Sequence, residues 1–132
     1  MLTINLFSFS YLKSGIPDDD SGNGGGYVFD CRYLYNPGKS QEYSEKTGLD
    51  PEVVELLDSK QDMQIFLDNV KNIISSAIAN YSERDFTDLS VAFGCTGGQH
   101  RSVYSAEKLL DFIELKYPQV RVILTHQELR KM

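Results

Sequence analysis

The segment Gly94-Cys-Thr-Gly-Gly-Gln-His-Arg-Ser102 packs three glycines, a cysteine, a histidine and an arginine into nine positions, directly after the apolar run Leu89 to Phe93. A strand ending at Cys95 and a helix beginning near Arg101 leave the intervening amide N–H groups without helical partners. Glycine lets those amides converge with no side chain in the way. Such a turn is an anion cradle, and the dipole of the following helix reinforces it. Arg101 offers a bidentate guanidinium that matches phosphate geometry, Thr96 and Ser102 offer hydroxyls, and His100 offers a further cation when protonated. The candidate anion-binding set in this stretch is Cys95, Thr96, Gly97, Gly98, Gln99, His100, Arg101 and Ser102. The plainer alternative is a tight strand-to-helix turn with His100 and Arg101 solvated.

Two chemistries compete for the same loop. The nucleoside-triphosphate pattern GxxxxGK[ST] fails, because the second glycine and the lysine are missing after Gly94, so ATP hydrolysis from this loop is excluded. Cys95, five residues, then Arg101 and Ser102 instead reproduces C-x5-R-S, the signature of cysteine-dependent phosphatases. A thiol at a helix N-terminus beside an arginine has its pKa drawn down to roughly 3.5–7.5, which makes it a nucleophile. Such an enzyme also needs a general acid, and Asp18, Asp19, Asp20, Asp30 and Asp50 are the candidates. The alternative for Cys95 is a small residue packed at a strand end.

The elements that must position this loop follow from the apolar pattern. Residues 2–12 are mostly apolar and rich in strand formers, which predicts a buried strand. Residues 13–26 are dense in Gly, Pro, Asp, Asn and Ser, which predicts a loop with a flexible tip. Residues 27–34 return to strand chemistry, and "YNPGKS" at 35–40 ends it. Asp50 followed by Pro51 marks a helix start. From Asp62 to Tyr81 the apolar positions Met63, Phe66, Leu67, Val70, Ile73, Ile74, Ala77, Ile78 and Tyr81 fall three and four apart, one stripe of a long helix. Residues 89–95 form another strand, and a helix with the stripe Val103, Ala106, Leu110, Ile113 and Tyr117 runs until Pro118. Residues 120–126 supply a last strand. Strands alternating with helices predict a single layered α/β domain over residues 1–132, with a mostly parallel sheet of about four strands flanked by helices. Ligands of such sheets bind beyond the carboxyl ends of the strands, where the glycine segment lies.

Composition narrows the partners. The chain has 132 residues and a net charge of −6. Residues 1–100 carry 7 basic and 15 acidic side chains, whereas residues 101–132 carry 6 and 4, so a phosphate-binding surface is expected to include the C-terminal third. An acidic domain is a poor nonspecific binder of nucleic acid. Two cysteines, Cys31 and Cys95, show no metal-ligand spacing beside His100 and His126, so no metal and no cofactor is expected. No stretch approaches the roughly 20 apolar residues of a membrane span, and the first residues lack the charged and small-residue features of a secretion signal, so no membrane partner and a cytoplasmic location are expected.

Outside the loop, Arg32 follows Asp30 and either reaches the same anion or pairs with Asp30. His126 either faces the site or packs. Tyr27, Tyr33, Tyr35 and Tyr43 either stack on bases or sugars or serve packing and a subunit interface.

The segment "SVAFGCTGGQHRSVYSAEKLLDFI", together with "SGIP" at 14–17, "YVFDCRYLYNP" at 27–37, "TGLD" at 47–50 and "THQELRK" at 125–131, resembles the C-terminal domain of the RapZ family of RNase adapter proteins. Members are also known as nucleotide-binding proteins because of a separate N-terminal P-loop domain. The resemblance implies an α/β domain that self-associates, binds a phosphosugar in the glycine-loop pocket and, in some members, binds small regulatory RNA. It adds Arg32 and Asn36 to the site. Where related domains carry a histidine before Gly-Ile-Pro, this chain has Ser14. The acidic run Asp18 to Asp20 opposes RNA, whose contacts would fall to Arg101, Arg121, Arg130 and Lys131.

Overall fold

A computed structural model describes residues 1–129. Four strands, β1 (Thr3–Ser10), β2 (Tyr27–Asp30), β3 (Asp88–Cys95) and β4 (Arg121–His126), form one sheet in the order β2-β3-β1-β4. Every neighbouring pair is parallel. Three helices complete the fold: α1 (Pro51–Asp58), α2 (Gln61–Glu83) and α3 (Arg101–Lys116).

The connections from β2 to β3 and from β3 to β4 step in the same direction across the sheet. Right-handed crossovers therefore place all three helices on one face. Burial agrees. Ile4, Leu6, Leu89, Val91 and Phe93, in register on the central strands, join Met63, Leu67, Ile74, Leu109 and Ile113 in one core. Each such side chain contributes about 1.5–3 kcal/mol by leaving water. The step from β1 back to β2 runs the opposite way, so residues 11–26 cross the other face. There Asn23 donates to the Asp88 carbonyl, and the Asp19 carboxylate gathers Ser21 and Gly25 into a turn.

The amphipathic stripe of α2 is borne out at Met63, Phe66, Leu67, Val70, Ile74, Ala77 and Ile78, while Ile73 is exposed. In α3 Leu109 rather than Leu110 lies in the buried stripe, and the helix ends at Lys116, two residues before Pro118. Its first six residues, Arg101 to Ala106, are all buried, because the N-terminal end of α3 is driven into the domain. Tyr104 secures that end. Its hydroxyl donates to Asp58 Oδ1 at 2.6 Å and accepts from Gln64, tying α3 to α1 and α2, and burial followed by the Asp58 contact pushes the phenol's pKa up.

At the opposite edge, His126 joins β4 to β1 and α3. Its Nε2 lies 2.7 Å from Glu107 Oε2, and its Nδ1 lies 2.6 Å from the hydroxyl of Ser8, which is fully buried. The histidine is thus packed into a polar bridge. Replacing His126 by Ala strands the Ser8 hydroxyl, and an unmet buried polar group costs about 1–3 kcal/mol. Urea denaturation is expected to show a loss of that size, and the Ser8→Ala/His126→Ala pair is expected to lose less than the two single changes added together. Strict additivity would remove the bridge from the list of stabilising contacts.

Candidate functional site

The glycine segment does run from a strand end to a helix start, and its hydrogen bonds are one-sided. The carbonyls of Thr96, Gln99 and His100 accept from Ser10 Oγ (2.6 Å), the Gly48 amide (2.9 Å) and the Tyr104 amide (2.9 Å). The amides of Thr96, Gly97, Gly98, Gln99 and His100 donate to no described residue. Three of the five loop carbonyls are thus met inside the protein, whereas none of the five amides donates to a described residue, at the N-terminal end of a 16-residue helix.

The arrangement of β2 explains how the first of those donors became free. The Cys31 amide donates to the Gly94 carbonyl at 2.7 Å, and a continuing parallel ladder would next bond the Thr96 amide to the Cys31 carbonyl. That rung is not made. β2 stops at Asp30, short of the strand expected to reach residue 34, and Arg101 takes over the carbonyls that the turn turns inward. Its Nη1 donates to Arg32 O at 2.8 Å, Leu34 O at 3.1 Å and Cys31 O at 3.3 Å.

Arg101 is 3% exposed, and no carboxylate among the described residues forms an ion pair with it. Its Nε is buried without an acceptor. Buried charges are ordinarily paired, because desolvating one costs several kcal/mol.

Beside this cation lies a hollow of about 220 Å³ walled by Asn36, Cys95, Thr96, Gly97, Gln99, His100 and Arg101, with Gly38 and Ser44 at its edge. A wider cleft of about 700 Å³ adjoins it and shares Asn36, Thr96 and Arg101; Arg32, Tyr33, Tyr35, Lys39 and Asp62 form its outer wall. Seven of the sequence candidates thus meet in one hollow. Gly98 backs the loop instead: its φ of +66° lies in the left-handed region, and an added Cβ would stand 2.6 Å from Glu128 Cγ and 2.9 Å from the Ser10 amide. Ser102 lies beneath, bonded to Cys95 Sγ at 3.1 Å. Ser14 lies aside, its amide on Glu128 Oε2.

Several side chains are spent on holding the walls. Gln99 Nε2 donates to the carbonyls of Ser44 and Lys46, and His100 Nε2 donates to Tyr43 O at 2.8 Å, which leaves Nδ1 turned toward Gly38. Arg32 makes a bidentate pair with Asp30, whose carboxyl is held below its usual range chiefly by that hydrogen bond, and lies over the Tyr11 ring at 3.8 Å. Tyr43 contributes its carbonyl and packs on the core, Tyr27 stacks on Phe29, and Tyr33 and Tyr35 reach the cleft. Arg121 is exposed on β4, and Arg130 and Lys131 lie outside the described residues. Lys39 and Asp62 escaped the sequence analysis. Asp62 comes from the first turn of α2, far along the chain, and only folding brings it to the Tyr35 amide, which it accepts at 2.9 Å.

Among the described residues no group of three or more His, Cys, Asp and Glu is arranged to hold a metal, and no helix is long and apolar enough to cross a membrane.

Comparison with known proteins places the whole arrangement in one group. Residues 2–130 match the model of the RapZ C-terminal domain. The chain belongs to the RapZ C-terminal domain family. Relatives include proteins named nucleotide-binding protein from Thermosipho melanesiensis (37% identical, covering 96% of this chain and 42% of the relative) and Glaesserella parasuis (38%, covering 92% and 40%). A third, from Nitrosomonas europaea, is 43% identical over 82% of this chain and 35% of its own length. The chain therefore spans between about a third and two fifths of the length of these relatives.

The wall of this candidate site rests on Gly48, where an added Cβ would lie 2.5 Å from both His100 O and the Tyr104 amide. Gly48→Ala is expected to cost about 1–3 kcal/mol by forcing the loop off α3, as overpacking does. Thermal unfolding checks it; an unchanged midpoint would show that the contact yields freely.

Proposed function

We propose that the domain binds the phosphate group of a phosphorylated small molecule, of the phosphosugar class that family resemblance implies, in the hollow between the glycine loop and Asn36. The observation that carries this is the buried Arg101, which has no carboxylate partner among the described residues, set at a loop whose amides donate to none of them. An oxyanion would supply the missing charge and accept from the loop together. The adjoining cleft gives room for the rest of the molecule. Small-RNA binding, self-association and a cytoplasmic location rest on the family and the composition, and are separate from this proposal.

Hydrolysis by Cys95 draws less support. None of Asp18, Asp19, Asp20, Asp30 and Asp50 lines either hollow: the first three border a cavity on the opposite sheet face, Asp30 is paired with Arg32, and Asp50 accepts the Thr47 amide. We expect no turnover of an aryl phosphate between about pH 5 and 8.

Binding is tested by thermal shift and calorimetry with inorganic phosphate and sugar phosphates. A ligand at a hundred times its dissociation constant adds about 2.7 kcal/mol of stability. Arg101→Ala would also release three carbonyls, so Arg101→Lys is the cleaner variant. It keeps the charge, loses the fork and is expected to weaken phosphate binding at least tenfold, about 1.4 kcal/mol. Wild-type protein that phosphate and its esters fail to stabilise, or full affinity in Arg101→Lys, would refute the assignment.

A further inference from the structure

We propose that Cys31 and Cys95 form a peroxide-sensitive dithiol that closes into an intramolecular disulfide in the wall of the hollow. Asp30 pairs with Gly94 in the parallel register, and the Cys31 amide donates to the Gly94 carbonyl, which sets Cys31 beside Cys95 on the next pair of positions. Neighbouring strands lie about 4.7–4.9 Å apart, within the roughly 4.4–6.8 Å between Cα atoms that a disulfide spans. Both side chains lie on the helix face of the sheet and meet one turn of α3: Cys95 Sγ bonds to the Ser102 hydroxyl at 3.1 Å, and Cys31 Sγ to that of Ser105 at 3.8 Å. Both thiols are free. β2 ends at Asp30, one residue before Cys31.

Access separates their roles. Cys95 is 2% exposed and is among the residues that line the hollow, whereas Cys31 is fully buried and lines neither hollow. Burial and then the neighbouring Cys95 push the Cys31 thiol's pKa up, which lowers its thiolate fraction and makes its attack the slow step. In the first step the S–O bond forms at Cys95 Sγ as the O–O bond of peroxide breaks. The sulfur loses two electrons, and hydroxide leaves with the thiol proton as water, giving a sulfenic acid. Cys31 Sγ then attacks that sulfur. The S–S bond forms, the S–O bond breaks, and hydroxide takes the Cys31 proton and leaves as a second water.

The full chain, folded as judged by circular dichroism, is treated with hydrogen peroxide, quenched with catalase, alkylated in denaturant, digested and analysed by mass spectrometry. The expected product is a peptide pair joined through Cys31 and Cys95 within one chain, both thiols vanishing together and returning with dithiothreitol. Cys31→Ser is expected to leave a sulfenic acid on Cys95 that dimedone captures. The proposal is overturned if both cysteines stay alkylatable under peroxide that oxidises free glutathione, if the bond joins two chains, or if Cys95 proceeds to higher oxides while Cys31 stays reduced.

Discussion

The guanidinium of Arg101 organises the loops at the carboxyl end of the sheet. Through Nη1 it collects the carbonyls of Cys31, Arg32 and Leu34 into a turn, ending the β2–β3 ladder one rung early. Because that rung is not made, the Thr96 amide keeps its hydrogen for the hollow. A single side chain at the first position of α3 thus converts the end of a parallel sheet from a structural ladder into a surface of free donors. The cost is a cation held in a largely dry place with no carboxylate paired to it among the described residues. Three carbonyl dipoles offset part of that cost but not a full charge, which leaves the site biased toward an anion.

The other loops serve this arrangement. Residues 36–50 are fastened to the start of α3 from three directions: Gln99 reaches the carbonyls of Ser44 and Lys46, His100 reaches that of Tyr43, and Gly48 lies against the helix backbone so closely that no side chain fits. Behind the glycine loop, Gly98 adopts a left-handed conformation against Ser10 and Glu128. Glycine is required at these two positions for different reasons, close approach at one and positive φ together with close approach at the other.

Much of the architecture was legible because it follows from periodicity. The apolar stripe of α2 and the apolar positions Ile4, Leu6 and Phe9 of β1 and Leu89, Val91 and Phe93 of β3 predicted their own burial, and Pro51 marked the start of α1. The glycine segment predicted a strand-to-helix turn with unmet amides, since that depends only on local residue types. What could not be read is non-local. The early end of β2 depends on Arg101, 69 residues beyond Arg32, so the strand-like chemistry of residues 31–34 was misleading. Asp50 marked a helix boundary correctly, but its side chain accepts the Thr47 amide instead of capping the helix. Gln99 and His100 look like ligand groups in a list of residues; in space both use a nitrogen to brace the wall. Asp62 reaches the cleft only because α2 begins beside the turn at Tyr35.

The same residues therefore hold the fold and form the site, and this has an energetic consequence. Removing Arg101 frees three carbonyls as well as a charge, and loosening Gly48 disturbs both the wall and the first turn of α3. Stability and affinity cannot be varied independently here, in contrast to sites built from side chains projecting off a finished scaffold. A bound oxyanion, by supplying the charge that Arg101 lacks and the acceptors that the loop lacks, would stabilise the turn at residues 31–36 and the start of α3 together. An oxyanion held there would touch both segments at once, so its binding would be coupled to the stability of the whole carboxyl end of the sheet.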